Sequence, residues 1–369
     1  MTREDVLQEA LKRAKHKNVL LELCTGFGKT KIALEIVKEL HYNSILVVVP
    51  RLALIKSWEA EIKKWHYTGN VIFKTYIGLN SDYKVDCVIY DECHRMTDKA
   101  FSSAREIKAT KVLLLSATVP LDRLRLLKFF DPIHITVPLS EAIYENVVAK
   151  PKVVLIPLSF NNDLQYKYIW SNKPNPFVCK YKDKWKYFPV ASKTKRGLII
   201  ECNQSEYASL LEDQISLYKK YYMNLHSPQL KNKYLRLCKD RLEWLSSLKK
   251  EAVKAYLDEI EDKRAIIFCS TIEQSEDICT NSITSKSGIE NLKLFNEGNI
   301  NHISSVNMLN EGINLSECEY GIFISLSSSC ITQVQKIGRL LRHKYPKIVI
   351  FYFKGREEEI KDSMLDIIK

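Results

Sequence analysis

The sequence predicts an α/β protein in which two parallel-sheet units are separated by an inserted basic, aromatic and helical segment. Short apolar runs alternate with helical patterns up to about residue 155, and the same alternation returns from about Ala265. The runs are continuously apolar, as expected of strands that helices cover on both faces. Residues 158–262 lack this alternation. We therefore expect a first unit at 1–157, an insertion at 158–262 and a second unit at 263–369.

The individual strands follow from the apolar runs. The predicted strands are Val19–Leu23, Ile45–Val49, Val71–Lys74, Cys87–Tyr90 and Lys111–Leu115 in the first unit, and Ala265–Cys269, His302–Val306, Ile322–Ile324 and Ile348–Phe353 in the second. Within the insertion, Ser205 to Glu261 is helical in character and is expected to serve packing or spacing. Its predicted apolar face holds Leu235, Cys238, Leu242, Leu245 and Leu248.

Composition indicates the class of partner and the compartment. The 369 residues include 56 basic and 44 acidic ones, a net charge of +12 that favours a polyanion such as nucleic acid. A basic protein with no such partner is the alternative. The ten cysteines are scattered singly, without metal-ligand spacing, which predicts reduced core residues and no zinc site. Neither a signal region nor an apolar stretch of about 20 residues is present, so we expect a soluble, cytoplasmic protein without membrane contact.

The stretch Leu21–Thr30 joins an apolar run to a turn and then to a helical pattern. Its glycines allow a sharp bend, its lysine can reach the β and γ phosphates of a nucleotide, and its hydroxyl can bind Mg²⁺. The usual phosphate-loop pattern has glycine where this chain has Leu23, so an ordinary strand-turn-helix is the alternative. The predicted phosphate-binding residues are Thr25, Gly26, Gly28, Lys29 and Thr30.

Two adjacent carboxylates, Asp91 and Glu92, follow the predicted strand Cys87–Tyr90. Asp91 can hold Mg²⁺ through water, while Glu92 can orient and deprotonate an attacking water. A solvated turn is the alternative for such a pair. Its position about sixty residues after the phosphate loop favours the catalytic interpretation.

Arg339 and Arg342 stand three residues apart on a predicted helix, so both can face one site. Arginine presents a fixed fork of donors that can stabilise charge on a γ-phosphate. A basic helix face is the alternative for this pair.

Together, the GFGKT and DECH sequences resemble motifs I and II of a superfamily 2 helicase, and the remaining motifs follow in that family's order. The resemblance implies that Gln8 reads the adenine and that Arg51, in the motif Ia stretch Val47–Trp58, binds the nucleic-acid backbone. It implies that Gly312, in motif V at Asn307–Leu315, binds the nucleotide, and it places motif IV at Ile266–Thr271 and motif VI at Gln335–Arg342. The residues that would couple hydrolysis to movement are His94, Ser116, Thr118 and Gln335. It covers roughly 260 residues and leaves the insertion unassigned.

What the resemblance implies is a fold of two RecA-like domains with ATP and Mg²⁺ in the cleft between them. Lys29 and Thr30 would face the cleft from one side, and Arg339 and Arg342 from the other. The stretch Pro138–Leu158 is similar to the group of the excision-repair helicase, the phage UvsW helicases and the type III restriction subunits. The implied activity is ATP-dependent unwinding of, or translocation on, DNA. An RNA helicase and a non-catalytic nucleic-acid-binding module remain alternatives, and a phage-encoded chain would act in the host cytoplasm.

The first part of the insertion concentrates positive charge. Between Tyr166 and Arg196 there are nine basic residues and one acidic residue, interleaved with aromatic rings. Cations for phosphates and rings for bases are the components of single-strand binding. The predicted contacts are Lys182, Lys184, Trp185 and Lys186. The alternative is a small β-rich subdomain whose rings form its core and whose lysines are solvated.

Overall fold

The structure is a computed structural model that describes residues 1–170, 178–181, 184–187, 190–194, 197–283, 288–306, 315, 317–327 and 329–369. Side chains are described in these ranges except at 170–198, 288–289 and 330. The predicted motif V residue Gly312 and the predicted contact Lys182 therefore lie outside the described residues. The side chains of Lys184, Trp185 and Lys186 lie outside them as well.

The secondary structure alternates strands with helices at both ends of the chain. The strands are β1 (Asn18–Leu23), β2 (Ser44–Val49), β3 (Asn70–Thr75), β4 (Lys84–Asp91), β5 (Lys108–Ser116), β6 (Pro132–Val137), β7 (Lys152–Leu158), β8 (Gln165–Trp170), β9 (Val178–Tyr181), β10 (Lys184–Tyr187), β11 (Val190–Thr194), β12 (Gly197–Asn203), β13 (Ala265–Phe268), β14 (Ser282–Ile283), β15 (His302–Ser305), β16 (Tyr320–Phe323) and β17 (Lys347–Phe353). The helices are α1 (Arg3–Ala14), α2 (Lys29–Glu39), α3 (Ala53–Lys64), α4 (Asp98–Glu106), α5 (Leu121–Leu127), α6 (Leu139–Tyr144), α7 (Gln204–Leu225), α8 (Pro228–Ser247), α9 (Lys250–Glu259), α10 (Ile272–Ile278), α11 (Gly288–Asn296), α12 (Cys330–Leu340) and α13 (Glu358–Asp366). None of the helices in the described part is long and apolar enough to cross a membrane.

The first sheet is parallel throughout, in the order β3-β2-β4-β5-β1-β6. Its five predicted strands are confirmed, because continuous apolar runs belong to strands buried on both faces. The sequence analysis did not identify β6. That strand lies at the edge of the sheet, where its residues alternate between buried and exposed, so its apolar run is interrupted.

The second sheet has the order β14-β15-β13-β16-β17-β7, and its described pairs are parallel. Strand β7 corrects the expected domain boundary. We expected residues 152–157 in the first unit, but β7 pairs with β17 from Lys152 to Leu158. The insertion therefore begins and ends within the second domain rather than lying between the two domains. The domain to which a strand belongs is decided by its pairing with strands that are distant in sequence. The apolar run of a strand does not indicate which sheet it will join.

The insertion combines antiparallel strands with a helical hairpin. Strand β12 lies between β8 and β11, and β9 pairs with β10. The ring of Tyr168 is buried, and its hydroxyl donates to Gln214 Oε1 on α7 at 2.6 Å. In the described side chains, this ring therefore serves as core, as the alternative interpretation predicted. Leu235, expected on an apolar face, is exposed, and the buried residues of α8 are Leu237, Leu245 and Ser246.

Polar contacts attach the hairpin to the second sheet. Arg241 on α8 donates to Glu212 on α7 and, at 2.7 Å, to the Arg356 carbonyl after β17. Arg356 also bonds Glu212 and, at 2.7 Å, Ser209 Oγ. These three charged side chains join both helices of the hairpin to the turn after β17. The hairpin is therefore attached to the second sheet by hydrogen bonds.

Candidate active site

The loop after β1 forms an open cradle at the start of α2. Gly26 and Gly28 adopt left-handed backbone conformations, with φ of 89° and 103°, which favour glycine. A Cβ added at Gly28 would meet no atom within 4 Å, so the backbone borders open space there. Lys29 Nζ donates to the Leu23 carbonyl at 2.8 Å. The loop therefore presents backbone N–H groups and a lysine at a helix N-terminus, the arrangement that binds phosphates.

Asp91 and Glu92 stand at the end of β4. Trp58 Nε1 donates to Asp91 Oδ2 at 2.9 Å, and the Glu92 N–H donates to Asp91 Oδ1 at 3.0 Å. Burial and the neighbouring Glu92 raise the pKa of Asp91 to about 6, and the Trp58 hydrogen bond and Lys29 oppose that shift. Burial and Glu92 thus outweigh the two groups that favour the ionised carboxylate.

Glu92 has two features that are typical of functional positions. It is a non-glycine residue with φ of 48°, in the left-handed region that costs free energy for a residue with a side chain. Its Oε2 is buried and makes no hydrogen bond to any described residue, although His94 Nδ1 lies 3.4 Å away. A buried carboxylate oxygen without a hydrogen bond is available to a water molecule or a substrate.

His94 connects Glu92 to the loop after β5. Its Nδ1 lies 2.9 Å from Ser116 Oγ, which donates its own proton to the Thr118 carbonyl at 2.7 Å. Because the Ser116 hydroxyl donates its proton to Thr118, His94 Nδ1 must be the donor in the hydrogen bond between His94 and Ser116. Burial lowers the pKa of His94 to about 4, which keeps the ring neutral near pH 7. The structure therefore brings together three of the four residues expected to couple hydrolysis to movement.

Helix α12 of the second domain carries Arg339, but the helix ends at Leu340, so Arg342, expected on the same helix, lies in the turn that follows it. Burial lowers the pKa of Arg339 to about 10, with Arg342 adding to the shift and Glu92 opposing it. Burial also lowers the pKa of Arg342, and Glu61 on α3 opposes that shift. Each arginine thus lies within electrostatic range of a carboxylate of the first domain. Gln335, the fourth expected coupling residue, is buried on the same helix, and its Nε2 has no hydrogen-bond partner among the described residues.

The junction between the two domains, where α12 of the second meets the phosphate loop of the first, includes Gly338. A Cβ added at Gly338 would lie 2.6 Å from Thr25 Cβ in the phosphate loop, closer than side-chain carbons pack. A single hydrophobic cluster includes Leu23 and Phe27 from the first domain with Ile337 and Leu340 from α12. The absence of a side chain at Gly338 therefore allows α12 to rest directly on the phosphate loop.

Replacing Gly338 with Ala is expected to lower ATP turnover by about 10- to 100-fold, because the methyl group would push α12, which carries Arg339, away from the loop. The matched control is Gly78→Ala, whose added carbon would lie 3.5 Å from Thr75 Oγ1, an ordinary contact. Steady-state turnover and thermal melting should be measured for both variants. Parent-like turnover in folded Gly338→Ala would show that this close approach is not needed.

The residues at this junction fit a nucleotide with Mg²⁺. The open space at Gly28 and the buried Oε2 of Glu92 are the observations that support the fit. Thr30 and Asp91 would hold the ion. In the described part of the chain, no three His, Cys, Asp or Glu side chains converge on a metal position. Mg²⁺ at such sites uses one or two protein ligands together with phosphates and waters, so no larger cluster is required.

Two expected site residues, Gln8 and Arg51, are exposed. Gln8 is on α1, and its Nε2 donates to Glu4 Oε1 of the same helix at 2.7 Å. Arg51 is exposed in the turn between β2 and α3. Their roles in adenine and nucleic-acid binding stay predictions, as do those of Gly312, Lys182, Lys184, Trp185 and Lys186.

Three residues join the site that the sequence analysis did not identify as functional. Trp58 bonds Asp91, Arg3 donates to the Gly26 carbonyl at 3.1 Å, and Glu22 accepts from the Val119 N–H at 2.8 Å. Glu22 carried a signal, since it is the one acidic residue within the apolar run of β1. Arg3 carried none, because a basic residue near a helix start is ordinary.

Comparison with known families agrees with this geometry. Residues 3–78 match the family described as type III restriction enzyme, res subunit. Residues 248–344 match the helicase conserved C-terminal domain. The first match contains the phosphate loop, and the second contains Arg339 and Arg342, whereas Asp91 and Glu92 lie outside both.

The curated relatives are distant. The chain is 24% identical to the DNA 3'-5' translocase XPB2 of Sulfurisphaera tokodaii, over 92% of this chain and 78% of that protein. It is 29% identical to the ATP-dependent DNA helicase mph1 of Sclerotinia sclerotiorum over 96 residues. That second match spans 26% of this chain and only 8% of the helicase.

Solved structures share the fold. The helicase domain of Hef from Pyrococcus furiosus superposes with a TM-score of 0.52 at 15% identity and covers 96% of both chains. The type ISP restriction-modification enzyme LlaBIII, bound to DNA, gives 0.58 at 14% identity, with 100% of this chain matching 29% of that enzyme. With the two matching families and two parallel sheets that form RecA-like domains, these findings place the chain among the superfamily 2 helicases, in the type III restriction and repair group.

Proposed function

We propose that this protein is an ATP-dependent helicase or translocase that acts on DNA. The observation that carries the proposal is the junction itself. The phosphate loop and Glu92 come from the first domain, Arg339 comes from the second, and Gly338 lies against Thr25 between them. A site divided between two domains is complete only when they close, and this links hydrolysis to domain movement.

Each group at the junction has a task that its chemistry suits. ATP with Mg²⁺ supplies the phosphoanhydride bond that is hydrolysed. Lys29 and the loop N–H groups bind phosphate oxygens, and Glu92 orients a water and accepts its proton. Arg339 and Arg342 offer planar donors to the charge that develops on the transferred phosphoryl group. His94 and Ser116 connect Glu92 to the loop after β5, so a change at the phosphates can reach that loop.

Charge and relatives support DNA as the partner. From Gln214 to Cys238 the outer part of the hairpin has five basic residues and no acidic one, in a chain with a net charge of +12. Those residues are Lys219, Lys220, Lys231, Lys233 and Arg236. A basic surface of this kind attracts a phosphate backbone. The names of the two curated relatives described above specify DNA, and LlaBIII was solved with DNA.

An ATPase assay run in parallel with single-stranded DNA, duplex DNA, branched DNA and RNA tests this function. We expect turnover that DNA stimulates more than RNA does. Stimulation by RNA alone would instead support an RNA-remodelling ATPase. Nucleic-acid binding without turnover would identify a non-catalytic module. The presence of Lys29, Glu92 and Arg342 argues against that alternative.

A further inference from the structure

The indole of Trp58 connects α3 to the end of β4. The residue is 2% exposed, and its Nε1 donates to Asp91 Oδ2 at 2.9 Å. An indole N–H can only donate, and a buried one needs an acceptor. Here the acceptor is the carboxylate expected to hold Mg²⁺, although an aromatic residue on a buried helix face could have packed without any polar contact.

Asp91 accepts hydrogen bonds at three different oxygen atoms. The Glu92 N–H donates to Oδ1 at 3.0 Å, and the Tyr76 hydroxyl donates to the backbone carbonyl at 2.8 Å. Among the described residues, Trp58 is the one side chain that donates a hydrogen bond to the carboxylate. The adjacent N–H and the indole together fix the rotation of the carboxylate plane, and only the indole does so from another element of the fold.

We propose that Trp58 is a positioning residue that orients the Asp91 carboxylate for the Mg²⁺ ion that accompanies the nucleotide. Strand β2, which precedes α3, lies beside β4 in the sheet, so α3 brings Trp58 to the carboxyl end of β4. A carboxylate has about four acceptor positions, and two are used by Trp58 and Glu92. The remaining positions are available to a water bound to Mg²⁺. This inference rests on the proposed ATP-hydrolysing function.

The test is Trp58→Phe, which keeps an aromatic ring and removes the N–H. Equilibrium binding of a fluorescent ADP analogue should be measured without metal and over a Mg²⁺ series. Without metal, we expect the variant to bind the analogue with the parent's affinity. Mg²⁺ should increase that affinity, and the Mg²⁺ concentration that gives half of the increase should be about tenfold or more higher in the variant, as for other residues that orient metal ligands. Because the readout is binding, it does not depend on turnover.

Two controls separate orientation of the carboxylate from general loosening. Tyr76→Phe removes a buried hydrogen bond to the Asp91 carbonyl but leaves the carboxylate untouched. Trp65→Phe removes a similar indole bond, 2.7 Å long, to Glu61 Oε2 on the same helix. Both variants should keep the parent's Mg²⁺ dependence. If Trp58→Phe melts far below the parent, a tryptophan analogue with sulfur in place of the indole N–H at position 58 supplies the same test with the shape retained.

The outcomes distinguish this inference from the proposed function. Parent-like Mg²⁺ dependence in Trp58→Phe or in the sulfur analogue would overturn the inference, even if the parent hydrolyses ATP. A change of equal size in Tyr76→Phe would overturn it as well, since the effect would then follow any loss of contact at Asp91. If the parent binds no nucleotide and hydrolyses no ATP, the proposed function fails, and the inference fails with it.

Discussion

Replacing Glu92 with Gln is expected to lower ATP turnover by at least about 100-fold while ATP binding persists. The amide keeps the size of the side chain but cannot accept a proton from water. The structure adds a reason for a large effect, because Glu92 Oε2 is buried without a hydrogen bond to any described residue and Glu92 has a left-handed backbone conformation. Turnover and nucleotide affinity should be measured on the same preparation.

Lys29→Ala is expected to lose turnover to a similar extent, and nucleotide affinity with it, because the side chain at the start of α2 supplies the cation for the phosphates. The matched controls lie on the same helix. Glu35→Gln and Lys31→Ala change a carboxylate and a lysine outside the junction, and both should leave turnover near the parent's. Near-normal turnover in Glu92→Gln or Lys29→Ala would show that hydrolysis takes place elsewhere.

Lys249→Met is expected to destabilise the second domain by about 3–5 kcal/mol, because it leaves the Glu357 carboxylate buried and unpaired. Lys249 is fully buried between α8 and α9, and its Nζ pairs with Glu357 at 2.8 Å. It also donates to the Ile324 and Phe351 carbonyls, each at 2.9 Å. Burial lowers the pKa of Lys249, and Glu357 opposes that shift. The loss should appear as an earlier urea midpoint.

The neighbouring residue provides the control for this prediction. Lys250 pairs with Asp277 at the surface, where both side chains are a third or more exposed, so Lys250→Met should cost no more than about 1 kcal/mol. Adding Glu357→Gln to Lys249→Met should recover part of the loss, because no buried charge then remains and the amide oxygen can still accept from the Phe353 N–H. Equal effects of the two lysine variants would refute the buried-pair argument.

The strands buried on both faces and the charged groups that follow them could be predicted from the sequence. The run before the phosphate loop and the run before Asp91 are continuously apolar, and parallel strands place their carboxyl ends at one edge of a sheet. Helical spacing likewise predicted the position of Arg339 on α12, whereas Arg342 lies in the turn after that helix. These predictions depend on periodicity and chain order, both of which are local properties of the sequence.

The basic insertion is the part of the chain whose structure the local sequence pattern predicted least well. Tyr166 and Tyr168 belong to the aromatic residues that the sequence analysis interpreted as able to stack on bases. In the structure, Tyr168 is buried against α7 in a hydrophobic cluster, and Tyr166 packs against that cluster. Composition is the same for a ring that binds a base and a ring that fills a core. Only the surrounding contacts separate the two uses.

The sequence by itself determined which chemical groups this protein carries and which ends of which strands and helices present them. The tertiary structure alone decided that β7 joins the second sheet, that Trp58 meets Asp91, and that Gly338 rests on Thr25. The physical reason is that these contacts join residues far apart in the chain. Each depends on how two surfaces pack, and the same residues in the same order would allow other partners if the packing differed.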